Sequence, residues 1–151
     1  MVESLGLLGV FLGGALPWLE AVVVVPIGIV AGLDPVAVVV AGFTGNLLTV
    51  AIAAYAGGSI RTWWRRRRHR DGAPPSGGRG DRAARAFARW GLPGVAVLGP
   101  IAGTQMCAVI AVGLGAPAGR TTLWVGAGTL VWCVAAAVLT VSGVSFLGIG
   151  G

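Results

Sequence analysis

Residues 35–57 form an apolar run without a single charged side chain. A helix of about 20 residues crosses a hydrocarbon core of about 30 Å, so this run alone is long enough to span a bilayer. A second run, residues 121–147, is equally long and apolar. The remainder of the chain cannot surround them with a water-facing surface. Only 11% of the 151 residues are charged, against about 25% in soluble domains. This excludes a soluble globular enzyme and implies an all-α integral membrane protein.

Charge is concentrated in one place. The chain has 11 basic residues against 5 acidic ones, for a formal charge of +6, and every basic residue is Arg. Ten of them fall between Arg61 and Arg89. Long apolar flanks make this a membrane-surface segment and not a nucleic-acid site. Trp63 and Trp64 stand at an aromatic-belt position, followed by Arg65, Arg66, Arg67 and Arg68, which are candidates for contact with anionic lipid headgroups. The plainer reading of these arginines is a topology anchor. Residues 71–80 are rich in Gly and Pro and read as a flexible connection. Residues 81–90 alternate apolar and Arg faces, as a short interfacial helix does. The start, Met1-Val2-Glu3-Ser4, is acidic where a secretory leader is basic, so no cleavable signal is expected. Arg without Lys, alongside abundant Ala, Gly and Val, points to a GC-rich bacterial genome and an inner-membrane location.

Two further apolar stretches are broken. Residues 5–16 and 21–32 flank Pro17 and Glu20, and each is too short to cross. They read as one re-entrant hairpin, residues 5–32, with its tip at Ala15-Leu16-Pro17-Trp18 and Pro17 in the first turn of the second half. Residues 91–116 are interrupted by Gly99-Pro100 and Gly103-Thr104-Gln105, with Thr104 as a candidate N-cap. An offset of 83 residues superposes Pro17 on Pro100, Gly32 on Gly115, Gly45 on Gly128 and Asn46 on Thr129. The expected architecture is two inverted repeats, each a re-entrant helical hairpin followed by a transmembrane helix. Residues 1–58 would hold hairpin 5–32 and helix 35–57, residues 59–90 the Arg-rich loop, and residues 91–151 hairpin 91–116 and helix 121–147. The positive-inside rule puts the loop in the cytoplasm, with both ends of the chain and Leu33-Asp34 outside. The hairpins then enter from opposite faces.

Glu20 is the one acidic residue that lies between apolar runs rather than at an end or in a loop. A charge at the bilayer centre costs about 2.5–3.5 kcal/mol on insertion scales, so such a residue is a functional hypothesis by default. Burial favours its protonated form and a helix N-terminus favours the carboxylate, which leaves its charge open. A helix cap at a wet vestibule is the alternative. Asn46, midway along residues 35–57, is a ligand contact or helix–helix glue. Thr104 and Gln105 project from the second tip and complete the expected substrate or proton site with Glu20 and Asn46, or else they satisfy backbone at the break. Pro17, Gly45, Pro100 and Gly103 are the structural residues expected at the tips. Gly9/Gly13, Gly28/Gly32 and Gly99/Gly103 read as close helix packing. Cys107 and Cys133 read as small core residues, and His69 as solvated loop. Neither a metal site nor a cofactor is expected, and no nucleophile elbow, phosphate loop or carboxylate pair marks an enzyme.

Leu16-Pro17-Trp18-Leu19-Glu20, Pro26-Ile27-Gly28, Gly45-Asn46 and Gly99-Pro100-Ile101-Ala102-Gly103-Thr104 resemble the small multi-drug export protein family, itself distantly similar to the DedA/VTT membrane proteins. The resemblance implies opposed re-entrant hairpins and carries over Glu20, Asn46, Gly103 and Thr104. Two departures stand out: Val22 replaces a basic residue common in the family, and Gln105 replaces a Gly. The first expectation is a proton-coupled, dimeric exporter of a small amphiphilic substrate. Alternatives are a DedA-like flippase for polyprenyl phosphate or phospholipid, a four-helix small multidrug resistance-type exporter, and a scaffold that docks through the Arg loop.

Overall fold

A computed structural model describes the backbone of residues 2–17, 19–67 and 78–147, with the side chains of residues 2, 58, 60–67, 78–88 and 98 left outside. Arg68 and His69 lie outside the described residues, as do the side chains of Arg65, Arg66 and Arg67. The expected headgroup contact therefore falls there too. Among the described residues the regular structure is entirely helical: α1 (Val2–Ala15), α2 (Glu20–Val30), α3 (Pro35–Arg67), α4 (Gly78–Ala102), α5 (Thr104–Gly113) and α6 (Ala118–Leu147). α4 is broken at Gly91, whose φ of 63° and ψ of −152° lie outside the helical region. Its first part contains the residues expected to form the interfacial helix.

Within α3 and α6, Pro35–Gly57 and Ala118–Phe146 are long and apolar enough to cross a membrane. Their most apolar windows are only 28% and 17% buried, whereas the core helix of a soluble protein is mostly buried. The shorter helices repeat the theme. Leu5, Leu8 and Leu12 are exposed along α1, and Val23, Ile27 and Val30 along α2. Helices apolar on all sides belong where the surroundings are apolar too.

The chain divides into two compact units, Met1–Thr49 with Thr129–Gly151, and Val50–Gly128. In the first, α1 and α2 form an antiparallel hairpin in which Val24 closes on Gly13 and Leu33 on Gly6. Gly28 of α2 faces Val38 of α3, and Val25 faces Gly42. The core joins Val10, Ala21, Val24, Val25, Ile29 and Val38 to Cys133 and Ala137 of α6. In the second unit, the later part of α4 pairs with α5. Its core is Val50, Ala54, Val95, Cys107, Ala108, Val112 and Val125. Both cysteines are buried, the core role expected of them. Gly9 has open space beside it, as does Gly32, so the expected tight pairs Gly9/Gly13 and Gly28/Gly32 each use one glycine.

The two units share local geometry at a spacing of 83 residues. α2 ends as Leu33 donates to the Gly28 carbonyl (3.1 Å) and Gly32 to that of Ile29 (3.0 Å). α5 ends as Ala116 donates to Ala111 (3.0 Å) and Gly115 to Val112 (3.0 Å). Both are Schellman ends, which require a left-handed residue, and Gly32 (φ 84°) and Gly115 (φ 113°) supply it. α3 then begins with Val38 donating to Asp34, and α6 with Thr121 donating to Pro117. The Asp34 carboxylate also accepts from the Ala37 amide at 2.8 Å, a side-chain cap with proline at the first helical position.

Candidate functional site

The break between α1 and α2 is a turn held by hydrogen bonds from Leu16 to Gly13, and from Leu19 and Glu20 to Leu16. Pro17 lies in this turn and is exposed. It was expected in the first turn of the second half-helix, but α2 starts only at Glu20. Proline has no N–H, and the turn is one place where none is demanded of it. Glu20 opens α2 at a φ of 44°, and it is only 7% exposed. A non-glycine residue in the left-handed region is uncommon, and such outliers gather at functional sites.

The break between α4 and α5 uses Gly103, at a φ of 96°, as the residue before the helix. The expected N-cap Thr104 is instead the first residue of α5. It is fully buried, and its hydroxyl donates to the Gln105 Oε1 at 3.1 Å. Gln105 is also buried. Pro100 lies inside the last turn of α4, unlike Pro17. Gly45 is not at a tip. It sits within α3, where α1 approaches so closely that a Cβ would strike the carbonyl of Phe11. Gly128 of α6 stands in the same relation to the carbonyl of Ala96.

Next to these two glycines come Asn46 and Thr129, each 1% exposed. The Thr49 hydroxyl donates to the main-chain carbonyls of Asn46 (2.9 Å) and Gly45 (3.3 Å). The Asn46 side chain is not involved in either bond. The contacts of Gly28 with Val38 and of Gly42 with Val25 fix an antiparallel register of α2 on α3. Continued by one turn, that register brings Asn46 level with Glu20. From α6, Cys133 packs into the core that contains Ala21 and Val25, and Thr129 is one turn earlier on the same face. In the first unit Glu20 and Asn46 thus share a level, and Cys133 of α6 packs into the core beside them. Thr104 and Gln105 belong to the second unit. Thr129 and Cys133 were not singled out as site residues from the sequence. The 83-residue correspondence with Asn46 was the available pointer to Thr129. Among the described residues no cluster of His, Cys, Asp and Glu is fit to hold a metal ion.

Two apolar spans, paired broken helices and a carboxyl buried at a break describe a helical membrane protein. The family described as "Putative small multi-drug export protein" matches residues 20–135, a stretch that begins at Glu20 and includes Asn46, Thr104, Gln105, Thr129 and Cys133. The chain belongs to that family. No curated protein and no solved structure matches it.

Proposed function

We propose that this chain is a small proton-coupled transporter that moves a hydrophobic or amphiphilic substrate across the bacterial inner membrane, using Glu20 as its exchange site. The carrying observation is Glu20 itself, a buried acid in the left-handed region at the start of α2. Ordinary folding gives no reason to keep a carboxyl there, because the matching position in the second half holds glycine. A carboxyl that alternately holds a proton and a cationic substrate couples the two flows. Asn46 supplies a neutral hydrogen-bonding partner at the same level.

The shared cap hydrogen bonds, the two left-handed breaks and the Gly45/Gly128 approaches support a reading of the chain as two inverted repeats with re-entrant hairpins. Thr104 and Gln105 then hold in the second repeat the places of Ala21 and Val22 in the first, directly after the Glu20/Gly103 position. The Arg-rich segment faces the cytoplasm in this reading by the positive-inside rule.

The test uses inverted membrane vesicles with an imposed proton gradient and ethidium as the probe. Wild-type protein should drive uptake that collapses when the gradient is dissipated. Glu20→Gln should insert normally and lose uptake by at least tenfold. Uptake that survives in Glu20→Gln removes the mechanism. Transfer of a short-chain polyprenyl phosphate, with no ethidium movement, would favour the lipid-carrier reading of the same breaks, where helix N-termini attract phosphate.

A further inference from the structure

We infer that Thr129 is a specificity-determining residue of the Glu20 site, and that the site selects a protonated amine over a quaternary ammonium head. The inference rests on Glu20 being the substrate site and goes beyond it by naming a third wall and the chemistry of the head group.

Thr129 is placed by three observations. It is 1% exposed despite lying in a helix whose apolar span is mostly exposed. It groups with Glu20 and Asn46 in the first unit, although it comes from the second half of the sequence. Its helix, α6, runs antiparallel to α3. The groove they share is lined by Val36 and Val141 toward one end and by Val40, Val134 and Ala137 further along. Following that register along α3 to Asn46 reaches the turn of α6 between Thr129 and Cys133. Cys133 packs into the cluster containing Ala21 and Val25. α2, α3 and α6 therefore present Glu20, Asn46 and Thr129 at one height.

The chemistry of the three groups selects the ligand. Glu20 is the one charged side chain among the buried described residues. The others are an amide and a hydroxyl, each with an acceptor oxygen. A primary ammonium has three N–H donors around one charge. It can give one to the carboxylate and the others to Asn46 and Thr129 in a single pose. A trimethylammonium head carries the same charge but offers no N–H and is wider. Hydrogen bonds to a charged group are the stronger kind, so the hydroxyl should separate the two heads by about tenfold in Kd.

The experiment measures binding of decylamine and decyltrimethylammonium to the purified chain in lipid nanodiscs at neutral pH. Wild type should bind the amine about tenfold more tightly. Thr129→Val, which keeps the shape and removes the hydroxyl, should bring the two affinities together through loss of amine affinity. Thr129→Ser should retain the preference, and Thr129→Ala serves in place of the valine variant if that one fails to fold. Equal wild-type affinities, or an unchanged preference in Thr129→Val or Thr129→Ala, overturn the inference. Glu20→Gln should lose both ligands. If it binds both as wild type does, the Glu20 reading fails independently of Thr129.

Discussion

Glu20 occupies a conformation that costs an L-residue about 1–2 kcal/mol, and glycine would occupy it freely. Glu20→Gly should therefore raise the unfolding midpoint in detergent by a stabilisation of roughly 1 kcal/mol while abolishing transport. Gly103→Ala, at the second break with a φ of 96°, should lower stability by about as much. A Glu20→Gly protein less stable than wild type would mean that the carboxyl holds the fold together, and would remove the argument that strain is retained for function. The burial of Glu20 was legible in the sequence because it lies between two apolar half-helices and not in a loop or at an end. Its backbone conformation was not, since nothing in the letters distinguishes a left-handed glutamate from a helical one. Thr129 was nearly invisible for a different reason. The letter of a threonine in an apolar helix does not say whether it faces a neighbouring helix, and the burial of Thr129 emerges only in three dimensions.

At the scale of elements, the two hairpins depend on backbone-to-backbone approach. A methyl at Gly45 or Gly128 would meet the carbonyl of Phe11 or Ala96, atoms that cannot rotate aside. Gly45→Ala and Gly128→Ala should each destabilise the protein by about 1–3 kcal/mol. Gly9→Ala and Gly143→Ala, with nothing within 4 Å of the added carbon, should be neutral or slightly stabilising by helix propensity. Thermal unfolding of the four variants checks the contrast, and equal effects at all four positions would contradict the described approaches. Helix starts were readable where capping chemistry is local, as with Asp34 before Pro35. The start of α2 was misread because Pro17 can serve a turn as well as a first helical position. Three hydrogen bonds around Leu16 decide in favour of the turn. Which glycines touch a neighbour was equally hidden, because spacing along one helix does not specify the facing helix.

For the whole molecule, the mostly exposed apolar spans and the outward leucines of α1 describe a surface matched to lipid. The inverted-repeat proposal then fixes sidedness. With Cys107 and Cys133 replaced by Ala, single cysteines at Ser4 and Ser145 should react with an impermeant maleimide from the outside of intact cells, and one at Arg120 only from the inside. Arg120 labelled from outside would turn the broken stretches into full crossings. Each long helix also gives its first part to one unit and its second part to the other, a division that halving the sequence between the repeats did not anticipate. Sequence periodicity reveals which residues are apolar, but the partner they bury against is chosen only in three dimensions. This arrangement bears on biosynthesis. The core around Val10, Ala21 and Val25 is finished by Cys133 and Ala137, which leave the ribosome more than a hundred residues later. During translation the amino-terminal hairpin must wait, incomplete, for the last helix to be delivered. A ribosome stalled before residue 129 would leave that hairpin as a substrate for membrane quality control.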